Sequence, residues 1–259
     1  MSPRILTFPT PQELGRSVAR NIADRLASSS GTRPFLLGCP GGRSPRPVFA
    51  ALAQTAVTER LNLNNLILLM MDDYLTEDLT HVPETGHYSC RRFARLEIQA
   101  VLNAGLPSAH KTSDANVWFP NPADPGAYDA RIAQAGGIEI FLLASGAGDG
   151  HVAFNPPGTD IASTTRVVDL AKQTRRDNLT TFPEFGCLEE VPRRGITVGI
   201  AIIAAARTSA MLVWGEDKRE AYNRLASARS YDPGWPATVW AMCPDATVYA
   251  DLDATGGHT

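Results

Sequence analysis

The chain has 259 residues, 44% hydrophobic and 20% charged, enough to bury a sizeable core, which excludes a disordered or fibrous protein. Twenty-four Lys and Arg stand against 27 Asp and Glu, a formal charge of -3, with no basic run long enough to track a phosphate backbone, so no nucleic-acid partner is expected. Apolar stretches such as Gly199 to Ala206 fall short of the roughly 18 residues a membrane span needs, and Met1 to Ser30 lacks a signal-peptide core, so no membrane partner and a cytoplasmic location are expected.

Arg4 to Phe8 reads as a strand. Thr10-Pro11-Gln12-Glu13 then sets a capping box around a proline at the first helical position, and Leu14, Val18, Ile22 and Leu26 recur on one helical face until a serine-rich turn at Ser28 to Ser30. Phe35 to Gly38 is a short buried strand running into Pro40-Gly41-Gly42-Arg43-Ser44-Pro45, and a helix follows over Pro47 to Thr58. The rhythm repeats with strands at Leu66 to Met71, Ile138 to Ala144 and Ala210 to Trp214, and helices at His87 to Ala104 and Lys218 to Ala226. This predicts an α/β protein with an open, mostly parallel, doubly wound (Rossmann-like) sheet and helices on both faces. Trp118 to Pro125 and Phe182 to Arg194 interrupt the rhythm, and the second is a candidate lid. The Gly256-Gly257 tail reads as frayed. Cys39, Cys90, Cys187 and Cys243 form no CxxC pair and no zinc-spaced set with histidine, so reduced, mostly buried thiols are expected and no metal site.

Ligands of open parallel sheets collect beyond the carboxyl ends of the strands, and three such ends are rich in chemistry. Gly41, Gly42, Arg43 and Ser44 lie between a strand and a helix, where glycines, free N–H groups and a hydroxyl suit a phosphate, although alone the segment reads equally as a tight turn. Asp72 and Asp73 end a buried strand, where a partly desolvated carboxylate suits a general base beside a carbonyl; in isolation, a turn cap and a solvated acid would be the plainer account. Asp149 and His151 alternate with Gly150 in Gly-Ala-Gly-Asp-Gly-His, so carboxylate and imidazole can face one cleft. No GxSxG elbow is present, which favours acid-base over covalent chemistry. Arg175 and Lys218 are candidate anion ligands, each singly also a plausible surface charge.

In combination these segments resemble the glucosamine-6-phosphate deaminase/isomerase family, whose fold is shared with 6-phosphogluconolactonases. The resemblance runs from about Phe35 to Lys218 through Gly-Cys-Pro-Gly-Gly-Arg-Ser-Pro at 38–45, Met-Asp-Asp-Tyr at 71–74, Gly-Ala-Gly-Asp-Gly-His-Val-Ala-Phe-Asn at 146–155, Thr-Arg-Arg-Asp-Asn at 174–178, and Val-Pro followed by Thr-Val-Gly around 191–199. It implies one sugar-phosphate isomerase domain over 1–259 with a lid over about 176–194. Asp72 would be the proton-transfer base, His151 with Asp149 the ring-opening pair, and Gly41 to Ser44, Asp73, Arg175 and Lys218 the substrate-binding positions. The implied substrate is an amino-sugar 6-phosphate, glucosamine 6-phosphate or an epimer, which would yield a ketose phosphate and ammonia with no cofactor. Tyr74 and the Ala-Phe-Asn after His151 favour the deaminase over the lactonase branch.

Two positions depart from the pattern. Deaminases carry a glutamate where this chain has Pro156, and a proline cannot hydrogen-bond an imidazole. Ring opening is then weakened, or Glu84, Glu184 or Glu189 substitutes, or the substrate differs. Allosteric members carry a lysine where this chain has Val168, which argues against that activation and its hexamer and leaves a homo-oligomer open. The alternatives to a deaminase are a sugar-phosphate lactonase, in which His151 activates water, and a non-catalytic sugar-phosphate sensor.

Overall fold

The computed structural model describes residues 4–29 and 33–257, so the last residue of the predicted Ser28 to Ser30 turn lies outside the described residues. β1 (Arg4–Phe8) leads into α1 (Pro11–Ser28), where Thr10 caps the helix by accepting the Glu13 N–H at 3.2 Å and the predicted stripe Leu14, Val18, Ile22 and Leu26 is buried. β2 (Phe35–Cys39), α2 (Arg46–Thr58) and β3 (Leu66–Met70) form the first parallel crossover. After β4 (Asp72–Leu75) come α3 (Cys90–Phe93), a π-helical turn (Ala94–Gln99) and α4 (Ala100–Asn103). The predicted helix from His87 starts later, because the Ser89 hydroxyl accepts the Arg92 N–H and caps it there. Trp118 to Pro125, expected to be irregular, instead holds the end of the edge strand β5 (Val117–Trp118) and the start of α5 (Pro125–Gln134), which Asp124 caps.

β6 (Ile140–Ala144) is followed by β7 (Arg166–Asp169), α6 (Lys172–Thr181), β8 (Arg194–Thr197), α7 (Ile200–Ala204), β9 (Thr208–Val213), α8 (Arg219–Ser227), β10 (Asp245–Asp251) and α9 (Leu252–Thr255). The Gly256 of the predicted frayed tail is the left-handed stop of α9, at φ 74°.

Seven strands form one sheet in the order β1-β10-β9-β6-β2-β3-β5, with every pairing parallel. Alternate residues of the buried strands feed two cores. Leu37, Leu68 and Leu142 pack with α1 and α2 on one face, while Leu36, Leu69, Phe141 and Met211 pack with α5, α8 and Trp240 on the other. The open parallel α/β sheet with helices on both faces is therefore as the sequence predicted. A second, three-stranded antiparallel sheet, β4-β8-β7, was not. Met71 joins the two: its N–H donates to the Cys39 carbonyl at 3.2 Å, and its own carbonyl accepts the Val198 N–H at 2.8 Å. Among the described residues no helix is long and apolar enough to cross a membrane. Cys39, Cys90 and Cys243 are buried thiols and Cys187 is an exposed one.

Candidate active site

A cavity opens where the chain leaves β2 toward β3 and leaves β6 toward β9, the divergence at which open parallel sheets bind ligands. The predicted loop residues Gly41, Gly42, Arg43 and Ser44 line it, with Gly42 at φ 80°. Arg43 is ion-paired with Asp217 and stacked 5.3 Å from the Trp214 ring centroid, and the Trp214 indole N–H donates to the Ser44 carbonyl at 3.0 Å. Loop and post-β9 turn are thus tied to each other. Lys218 enters from that turn, its Nζ donating to the Ser145 carbonyl at 2.7 Å. Burial holds the Lys218 ammonium below its ordinary range against the opposing pull of Asp217.

Asp72 lines the cavity and is almost fully buried. Burial first, and then the charge of Asp73, pushes its carboxyl up to about 7, while the Cys90 thiol, donating at 3.7 Å, pulls the other way. Cys90 itself stays a thiol, because burial and then the two aspartates push it well above its usual range. Asp73, expected to bind substrate, does not line the cavity. One oxygen accepts the Tyr74 and Cys90 N–H groups at 2.9 and 3.2 Å, and the other meets His81 Nδ1 at 2.8 Å, so it secures the start of α3.

His151 lines the cavity from the loop after β6, with Asp149 behind it at 2.7 Å from Nδ1. This contact makes Nε2 the nitrogen free for chemistry. Burial raises the Asp149 carboxyl, but hydrogen bonds and charge from His151 outweigh it and hold the group below its ordinary value. Glycine is required at 146, since a Cβ there would lie 2.3 Å from His151 Nδ1 and 2.4 Å from Asp149 Oδ1. At Gly150, φ is 65° and a Cβ would strike the Trp235 ring at 2.3 Å. The Asp149 Oδ2 is buried with no partner among the described residues.

α6 closes one side of the cavity with Thr174, Asp177 and Asn178. Arg175 points elsewhere: its guanidinium donates to the Val191 carbonyl at 3.0 and 3.2 Å and to the Leu188 carbonyl, clasping the irregular segment after α6 rather than lining the cavity. The first part of the predicted lid, 176–181, is helical and belongs to α6. Asp177 and Asn178 were not among the expected site residues, although both stand in the Thr-Arg-Arg-Asp-Asn run, where their i,i+3 and i,i+4 spacing puts them on one helical face with Thr174. Asn178 Nδ2 is a buried donor with no partner among the described residues. One ligand atom each from Asp149, His151 and Asp177 lies within 4.8 Å of the others, two carboxylates and an imidazole that a divalent cation would accept. Local spacing does not reveal that trio, because Asp177 arrives from a separate element.

Tyr74 and Phe154, which stand in the two segments expected to mark the deaminase branch, pack on each other with ring centroids 5.0 Å apart. Residues 9–249 match the family model described as glucosamine-6-phosphate isomerases/6-phosphogluconolactonase. The chain belongs to this family. A glucosamine-6-phosphate deaminase of Bifidobacterium longum is 33% identical over 260 residues, covering 97% of this chain and 91% of that one. One from Shouchella clausii is 31% identical over 249 residues, covering 96% and 94%. Among solved structures of the family, a monomeric glucosamine-6-phosphate deaminase superposes with TM-score 0.82 at 25% identity over 98% of this chain and 99% of that one. A 6-phosphogluconolactonase from Leishmania guyanensis shares the fold at TM-score 0.69 and 16% identity, with both chains fully covered.

Proposed function

We propose that the protein is an aldose-ketose isomerase and deaminase acting on an amino-sugar 6-phosphate. The observation that carries this reading is the pairing of a buried carboxylate, Asp72, with an imidazole backed by a carboxylate, His151 and Asp149, in one cavity rimmed by a glycine-rich loop and Lys218. The deaminases among the relatives above support it.

In this reading the phosphate sits on the N–H groups of Gly41 to Ser44 and beside Lys218. His151, with its tautomer set by Asp149, moves the proton that opens the pyranose. Asp72 then removes the C2 proton of the open aldose, leaving an enolamine, and returns it to C1. The product of that transfer is a ketimine at C2; water adds there, the C–N bond breaks, and ketose phosphate and ammonia leave. A base whose carboxyl is poised near 7 is well matched to proton transfer at neutral pH. The Phe182 to Arg194 segment, clasped by Arg175, serves as the lid over the site.

The test is to mix the purified protein with glucosamine 6-phosphate and, separately, its galacto epimer at neutral pH, and to measure ammonia and ketose phosphate together. Equal amounts of both products from one of the sugars are expected. Rapid opening of a gluconolactone phosphate with no ammonia from either amino sugar would overturn the deaminase in favour of a lactonase, and tight binding with no turnover of any of them would make the protein a sensor.

A further inference from the structure

Helix α6 and the Phe182 that ends it line the cavity with Thr174, Asp177, Asn178, Thr181 and Phe182, at the i, i+3, i+4, i+7 and i+8 spacing of one continuous helical face. All but Phe182 are polar. Met71, Tyr74, Ala153 and Phe154 give the same cavity a largely apolar wall. One polar face and one apolar face suit a sugar, whose hydroxyls project from a C–H framework. The reaction as derived above makes no use of the polar face.

Asp177 is the acidic member of that face, and with Asp72 it is one of two carboxylates that line the cavity among the described residues. Glu84 holds Arg91 at 3.0 Å and Arg95 at 3.2 Å, while Glu184 and Glu189 are exposed and do not line the cavity; nor does Pro156. The Gln173 side-chain amide donates to Asp177 Oδ1 at 2.8 Å and steadies the carboxylate, whose Oδ2 receives no donor among the described residues. A carboxylate oxygen of Asp177 comes within 4.8 Å of a ring nitrogen of His151. Burial lowers the Lys218 ammonium, and Asp177 is, after Asp217, a carboxylate whose charge opposes that. Asp177 is thus close both to the imidazole that serves the ring oxygen and to the ammonium that serves the phosphate.

In a hexose 6-phosphate, C5 carries both the ring oxygen and the phosphate arm, and the hydroxyl beside it is the one on C4. A carboxylate repels the phosphate and accepts only from donors, and the amine on C2 lies at the Asp72 end of the site. We propose that Asp177 is a specificity-determining residue that accepts a hydrogen bond from the C4 hydroxyl of the substrate, and so separates sugar phosphates that differ in configuration at C4. That role rests on the reading of the cavity as an amino-sugar phosphate site, and it assigns the choice of epimer to a side chain of α6.

The experiment reads binding, so it does not depend on turnover. Ring opening breaks only the bond between C1 and the ring oxygen, so an open-chain amino-alditol 6-phosphate keeps the arm from C4 to C6 intact. Affinities are measured by titration calorimetry for the gluco compound, its galacto epimer, and the forms lacking the C4 hydroxyl, the C3 hydroxyl or the C2 amine. EDTA is present throughout, to keep metal ions off Asp149, His151 and Asp177. For the parent chain, loss of the C4 hydroxyl is expected to weaken binding roughly 10- to 100-fold, as for a hydrogen bond to a charged group, and the two epimers should differ by about tenfold or more. In Asp177→Ala the same loss should weaken binding by less than about threefold, and the epimers should converge. Asp177→Asn keeps the shape and a neutral acceptor, so its C4 effect should be intermediate; it also carries the test if the alanine variant does not fold.

A C4 effect that is the same in the parent and both variants overturns this role, even if every ligand binds more weakly to the variants. An effect of Asp177 that follows the C3 hydroxyl or the C2 amine instead also overturns it, and in the second case makes Asp177 a ligand of the substrate ammonium. If the parent releases no ammonia from either sugar but the C4 effect depends on Asp177, the role is upheld and the deaminase reading is what fails. If the parent binds none of the compounds, both fall.

Discussion

Asp72 is buried at the point where an apolar strand ends, with a second aspartate beside it, so the folded protein disfavours its ionised form. Its folded value of about 7 lies above the usual aspartate value near 3.9, so between those limits the folded chain binds the proton that the unfolded chain has released. Stability is therefore lost as pH rises through that window, by on the order of 4 kcal/mol at pH 8. Thermal melts of Asp72→Asn should show a higher Tm than the parent at pH 8, with the difference shrinking toward pH 5. As the proposed base, the group would work only when ionised, so kcat/KM of the parent should climb with pH through about 7, and Asp72→Asn should lose about 10²- to 10⁴-fold in turnover at every pH. Asp72, Asp149 and His151 stood out in the sequence because their motifs lie where buried strands end, Asp72 just beyond β3 and Asp149 and His151 in the glycine-rich loop that leaves β6. Asp73 and Arg175 were expected to bind substrate from their types and motifs, yet Asp73 is engaged by the start of α3 and Arg175 by carbonyls of the irregular segment after α6, contacts that no local motif displays.

At the scale of elements, the loop after β6 has no room for a side chain at Gly146 or Gly150. Gly146→Ala places a methyl against both members of the imidazole-carboxylate pair, so turnover should drop at least tenfold while circular dichroism and Tm stay near those of the parent. Arg175 binds two carbonyls of the segment that Phe182 and Phe185 pin to His87 and Tyr88. Its removal in Arg175→Ala should release that segment, seen as faster proteolytic nicking between 182 and 193 and a raised KM. If Arg175 instead served the substrate phosphate directly, KM would rise with no change in nicking. The sequence made β2, β3, β6 and the second half of β9 plain because each is an apolar run, but it did not reveal β10, which carries an aspartate at each end, or the two-residue β5. It hid β4, β7 and β8 because they are four-residue strands, with β4 separated from β3 only by Met71 and β7 largely polar at its ends.

Over the whole molecule, the groups of the candidate site divide between the two sheets. His151, Lys218 and the glycine loop are borne by the large parallel sheet, whereas Asp72 belongs to the small antiparallel one, whose other two strands bracket α6. Occupancy of the cavity should therefore bind the small sheet and α6 to the large one. Hydrogen exchange with and without an open-chain amino-alditol phosphate should show added protection in β4, β7, β8 and α6, and none in β1 at the far edge, which the ligand does not reach.

Met71 sets a limit of another kind. Its amide belongs to one sheet and its carbonyl contacts the chain leaving the other, so the step from Met70 to Asp72 has a fixed length. Side chains alternate along a strand, and one residue added or removed there would turn the aspartate to the opposite face. Surface loops far from the cavity can change length without touching it, whereas a single residue inserted or deleted at Met71 should abolish turnover.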